Sequence, residues 1–161
     1  MDTNPEEQLS FFRRCNLDTL KEHLVSLENL PTEFLDTLDE KDKTICYRAT
    51  LLCYTVCKQV PKEMQLRTLL ADVNRKDCLV SAGTGSGKTL PIALKILLDD
   101  PTKNSISLTL SPYKRLQKTQ EKDFMTRYQI PTVVINEDTP RDDTWWTVSR
   151  HGTKTIKSIH S

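Results

Sequence analysis

Glycine is nearly missing from this chain: four residues in 161. Long apolar runs are missing altogether. No window approaches 18 consecutive apolar residues, which excludes a transmembrane helix. The opening decapeptide MDTNPEEQLS is acidic and has no apolar signal core, which argues against secretion. Histidine is limited to His23, His151 and His160, widely scattered. The five cysteines, Cys15, Cys46, Cys53, Cys57 and Cys78, contain no C-x-x-C pair. Cys53 and Cys57 would share a helix face, yet no histidine lies near them, so no zinc site is expected. Reduced, mostly buried thiols in an intracellular protein are the expectation.

Against these absences stands an ordinary globular composition, 37% apolar and 28% charged, in a length that suits one domain with or without an extension. The net charge of +1 conceals an asymmetry. Residues 1–44 carry 11 acidic and 5 basic side chains (net −6), and residues 45–161 carry 18 basic and 11 acidic (net +7). An acidic leading segment on a basic body points to an anionic partner for the body, set against ordinary solvated surface.

Apolar spacing predicts helices through residues 1–60. Leu17, Leu20, Leu24 and Leu27 fall on one face of a helix that Pro31 should end. A short amphipathic piece follows at Phe34, Leu35 and Leu38. Residues 44–60 then read as a largely buried helix with Thr44 as its cap. Beyond Pro61 the pattern alternates: helix 62–75, strand 78–82, helix 88–99, strand 105–111, helix 113–128 through Leu116, Gln120, Phe124 and Tyr128, and strand 132–136. Alternating strands and helices imply βαβ units and a parallel sheet. Residues 147–161 show neither period and read as an irregular tail.

Three of the four glycines, Gly83, Gly85 and Gly87, fall within 81-SAGTGSGKTL-90. Residues 82–89, A-G-T-G-S-G-K-T, fit a P-loop between a predicted strand and a predicted helix. Bare backbone is needed there because successive N–H groups must curl around phosphates. Lys88 reaches the outer phosphates, Thr89 offers its hydroxyl to Mg2+, and the helix beginning near Lys88 turns its positive end to the anion. Thr84, Gly85, Ser86, Gly87, Lys88 and Thr89 are thus the candidate ATP-binding residues.

This segment resembles motif I of superfamily 2 helicases, where A-x-T-G-x-G-K-T is the usual form in DEAD-box proteins. The resemblance covers roughly residues 58–146. It implies that Gln65, in 61-PKEMQLR-67, reads the adenine edge, a role that an amide suits because it both donates and accepts. In 110-LSPYKRLQKTQ-120, Ser111, Pro112, Leu116 and Gln120 are similar to the RecQ form of motif Ia, which touches the backbone of a single strand. Ser111, Pro112, Lys114 and Arg115 are the candidate nucleic-acid contacts. Two departures stand out: RecQ proteins usually carry P-T-G-x-G-K-S at the P-loop, and they carry Arg where this chain has Lys62.

The resemblance implies an incomplete RecA-like P-loop fold, a parallel sheet preceded by a helical, acidic extension over 1–57. It implies ATP and Mg2+ as cofactors, single-stranded nucleic acid (DNA by the RecQ likeness) as partner, no membrane, and a nuclear location. No D-E-x-H or D-E-A-D follows the P-loop. The run 132-TVVINED-138 only outlines a Walker B: Asn136 stands where Asp is needed, and Glu137 and Asp138 come too early. Asp142, Asp143, Trp145 and Trp146 read as a surface turn and lobe packing. The expectation is the first part of a RecQ-like helicase lobe cut before motif II, with little turnover of its own. The alternative is a non-catalytic nucleotide-binding or interaction protein.

Overall fold

The structure is a computed structural model described over residues 4–103, 105–139 and, for the backbone, 156–158. Asp142, Asp143, Trp145, Trp146 and most of the expected tail lie outside the described residues. The chain divides into two compact units, Met1–Leu98 and Asp99–Ser161.

The first unit is helical: α1 Pro5–Arg14, α2 Leu17–Leu24, α3 Thr32–Asp36, α4 Glu40–Cys57, α5 Glu63–Val73 and α6 Leu90–Leu98. Asparagine starts the first two. The Asn4 side chain accepts the Glu6 N–H at 3.1 Å, and the Asn16 side chain accepts the Thr19 N–H at 2.9 Å. The helix expected to run to Pro31 stops at Leu24. Asn29 takes a left-handed backbone (φ 62°) and turns the chain before the proline is reached. The helix expected from Thr44 starts earlier, because the Asp39 carboxylate accepts the Asp42 N–H at 2.8 Å and serves as the cap. The Thr44 hydroxyl instead donates to the Glu40 carbonyl at 2.7 Å, one turn back.

Helix α4 is the centre of this unit. It packs against all five other helices of the unit, with Cys46, Ala49, Thr50, Leu51, Leu52 and Cys53 buried. Each buried leucine stabilises the fold by about 1.5–3 kcal/mol. The one hydroxyl in this row is satisfied locally: Thr50 Oγ1 donates to the Cys46 carbonyl at 2.8 Å. Burial, with the Asp42 charge adding to it, pushes the Cys46 thiol up to about 12, so it stays protonated at neutral pH. Arg48 donates to the Phe12 and Cys15 carbonyls at 3.2 and 2.8 Å, and Arg13 Nε donates to the Leu97 carbonyl at 3.0 Å. These bonds tie α1 to α4 and to the end of α6. Helix α6 is buried through Leu90, Pro91, Ala93, Leu94, Ile96 and Leu97 and packs on α4 and α5. Pro91 sits in its first turn, where a missing N–H costs nothing.

The second unit contains α7 Lys114–Thr126, β1 Thr132–Val134 and β2 Ile156–Ser158. Phe124, Tyr128 and Ile130 are buried, and the Val134 N–H donates to the Glu121 carboxylate at 3.0 Å, joining α7 to β1. The expected inward face of α7 is rotated by one residue at its start: Leu116 is exposed and Gln117 is buried, since Gln117 is needed as a hydrogen-bonding strut. β1 and β2 pair in parallel, Thr132 opposite Ile156.

Two expected strands are not formed. Residues 78–82 have no regular secondary structure and Leu79 is 97% exposed. Residues 105–111 are likewise irregular apart from a single bridge at Leu108, with Ile106, Leu108 and Leu110 exposed. Their alternation persists, but the apolar side chains point to solvent. A parallel strand is stable only between hydrogen-bonded neighbours with both faces covered. Among the described residues neither run has such a ladder.

Candidate nucleotide and nucleic-acid sites

The P-loop residues lie at the entry to α6. Gly85 and Gly87 adopt positive φ (79° and 81°), a conformation that side-chain-bearing residues avoid. A Cβ on Gly87 would also collide with Gln65 Nε2. Gly83 is different: it has no positive φ and nothing near an added Cβ. The Gly87 carbonyl accepts the Leu90 N–H at 3.1 Å, which passes the loop into the helix. Lys88 is exposed and folds back on its own loop, donating to the carbonyls of Ala82 (2.7 Å) and Gly83 (2.9 Å). Thr84 is exposed and Thr89 half-buried. Ser86 Oγ is buried without a hydrogen-bond partner.

These features fit the phosphates of a nucleotide. An orphaned hydroxyl costs free energy until something accepts from it. An ammonium resting on neutral carbonyls gains by exchanging them for anionic oxygens.

Gln65 is buried one helix away in sequence and props the loop. Its Nε2 donates to the Ser86 and Gly87 carbonyls at 3.3 and 3.1 Å, and its Oε1 accepts the Lys62 N–H at 2.8 Å. Both amide hydrogens are therefore engaged with the loop. An acceptor lone pair remains on Oε1, but no donor is left for an adenine edge in this arrangement.

The second candidate site precedes and opens α7. Ser111 is 3% exposed, and its Oγ is also buried without a partner. Its carbonyl accepts from Gln117 Nε2 at 2.9 Å. Pro112 and Arg115 are exposed. Lys114 Nζ is held between Glu137 and Asp138, the latter at 2.9 Å. The hydrogen bonds that Lys114 donates, to Glu137 first and Asp138 second, raise its pKa above the ordinary lysine value. The acidic pair that outlines a Walker B thus spends its charge on this lysine. Sequence reasoning missed Gln117, the hydrogen-bonding role of Asn136 and this ion pair. Lys114 and Asp138 are 24 residues apart, and no local pattern announces their contact.

Elsewhere, a cavity of about 670 Å³ lies among α1, α2 and α4, walled by Phe11, Phe12, Leu51 and Tyr54, with no P-loop residue in its lining. Cys53 and Cys57 do share a helix face, their sulfurs 3.5 Å apart. Among the described residues no group of three or more His, Cys, Asp or Glu is placed to share a metal ion. Nor is any described helix long and apolar enough to cross a membrane.

No curated protein and no solved structure matches this chain. The sequence model of DEAD/DEAH box helicases matches residues 62–156, more than half of the chain. The match begins at Lys62, the residue that Gln65 caps, and takes in both the P-loop and the Ser111–Arg115 segment. With its loop geometry and that match together, the chain belongs to the DEAD/DEAH box helicase family, a superfamily 2 type whose RecA-like domain binds ATP and nucleic acid.

Proposed function

We propose that this chain is the ATP-binding and single-stranded-DNA-binding part of a RecQ-like helicase lobe. The observation that carries the reading is the P-loop itself, with two glycines at positive φ, an unspent buried hydroxyl on Ser86 and a lysine resting on displaceable carbonyls. The backbone N–H groups of 84–89 would hold the phosphates, Lys88 would pair with the outer ones, and the Thr89 hydroxyl would serve Mg2+. ATP with Mg2+ supplies the transferable phosphoryl group. Gln65 keeps the end of the loop in place, and it reads adenine only if it gives up its bonds to Ser86 and Gly87. The DNA assignment rests on the RecQ-like spacing of Ser111, Pro112, Leu116 and Gln120.

Water activation and Mg2+ capture need carboxylates beyond a phosphate cradle. No D-E-x-H or D-E-A-D follows the P-loop in these 161 residues. The activity proposed for the chain as given is therefore binding without appreciable turnover. A second reading, an interaction protein without helicase activity, is favoured by the exposed row Ile106, Leu108 and Leu110.

The test is a thermal melt with a non-hydrolysable ATP analogue and Mg2+. A ligand at ten times its Kd stabilises the folded chain by about 1.4 kcal/mol. The wild-type Tm should rise with analogue concentration, and Lys88→Ala should abolish the rise. An equal rise in both chains would overturn the assignment.

A further inference from the structure

We infer that Glu137 and Asp138 act as an internal competitor for nucleic-acid phosphate at Lys114, and so set how tightly the Ser111–Arg115 segment holds a single strand. The inference rests on the proposed reading of that segment as a strand-binding surface.

The loop bearing the two carboxylates is fixed independently of them. The Asn136 N–H donates to Thr139 Oγ1 (2.9 Å), and Asn136 Oδ1 accepts the Asp138 N–H (3.0 Å). Asn136 Nδ2 donates to Gln117 Oε1 (3.3 Å), and Gln117 Nε2 reaches the Ser111 carbonyl (2.9 Å). One buried glutamine therefore sets the carboxylate loop and the Ser111 loop at a constant separation. The carboxylates stand opposite Lys114 because this network puts them there, and the ion pair is its consequence.

The pair itself is exchangeable. The side chains of Lys114, Glu137 and Asp138 are 43%, 74% and 66% exposed. Exposed ion pairs of this kind are weak and screened by salt. A polyanion that also gains from releasing its counterions can displace them. Two carboxylates present oxygen acceptors to one ammonium much as a phosphate does. Charge counting gives the sign of the effect. Lys114 and Arg115 contribute +2, Glu137 and Asp138 contribute −2, so the two acids cancel the charge with which the segment would otherwise attract a strand.

The experiment uses the full chain and the double variant Glu137→Gln/Asp138→Asn. Binding of an oligo-dT strand is read by fluorescence anisotropy across a NaCl series. Accessibility of Lys114 is read separately, by the rate of acetylation with a water-soluble acylating reagent and mass spectrometry. The double variant should acetylate several-fold faster at Lys114 and bind oligo-dT several-fold more tightly at low salt. Its log–log salt slope should be steeper by about 0.7, one additional phosphate contact on a single strand. Adding Lys114→Ala to the double variant should remove the gain. Glu22→Gln/Glu28→Gln, which changes net charge equally on exposed positions of the first unit, should leave binding unchanged. If wild type and double variant bind equally, the inference fails and the strand-binding reading stands. If neither binds, both fall. A control variant that gains as much as the double variant also overturns the inference, by making the effect one of net charge.

Discussion

In the P-loop, buried Gln65 donates to the carbonyls of Ser86 and Gly87, a serine hydroxyl is left unpaired, and Lys88 rests on two loop oxygens. In the segment that opens α7, buried Gln117 donates to the Ser111 carbonyl, that serine's hydroxyl is left unpaired, and Lys114 rests on two loop oxygens. The parts correspond, and the oxygens differ. Lys88 is held by neutral carbonyls, so an incoming phosphate meets no charged rival. Lys114 is held by carboxylates, so it does. The difference teaches that two lysines in similar loops can be opposite kinds of site, one open to an anion and one already answered by acids.

The largest effect that would sharpen this comparison concerns the two glutamines. Gln117→Leu leaves the buried Ser111 carbonyl and the half-buried Asn136 amide short of partners, and should lower stability by about 1–3 kcal/mol in urea unfolding. Gln65→Leu frees groups of a more exposed loop that water can serve, and should cost less. The reverse order would break the correspondence between the two struts. Next comes Gly87→Ala. A side chain at φ 81° costs about 1–2 kcal/mol, and this one also displaces the Gln65 amide. The analogue-dependent rise in Tm should be lost in Gly87→Ala and kept in Gly83→Ala, where φ is ordinary and space is open. Equal losses would mean that the cradle does not depend on left-handed backbone.

The smallest effect is in pH. The Lys114 pKa is raised in the folded chain, so its ion pair is at full strength below the ordinary lysine value of about 10.4 and fades as pH rises through the raised one. The affinity difference between wild type and Glu137→Gln/Asp138→Asn should therefore be flat from pH 7 to 9. A slope in that window would put another titrating group in the site.

Much of the helical part was legible because its signals are local. The leucines of α2 lie within a turn or two of the backbone they organise. Helix α6 is apolar almost all round and could only be buried. The misreadings came where two local signals competed or a distant partner decided. Thr44 and Asp39 both suit a cap, and Asp39 took it. Leu116 lost its inward place to Gln117, whose partners are the Ser111 carbonyl, 6 residues back, and Asn136, 19 residues on. The apolar runs at 78–82 and 105–111 have the composition of strands, but a strand exists only when a neighbour pairs with it.

The P-loop was determined by the amino-acid sequence alone. Glycines at 85 and 87 permit the positive-φ turn that leads into Lys88, a conformation that side-chain-bearing residues avoid. What only tertiary structure decided was where the freed and charged groups found partners. Gln65 settled on the loop, and Lys114 on Glu137 and Asp138. Those contacts bridge 21 to 24 residues, and chain proximity cannot announce them. Hydrogen bonds and ion pairs depend on distance in space, which folding sets and sequence order does not.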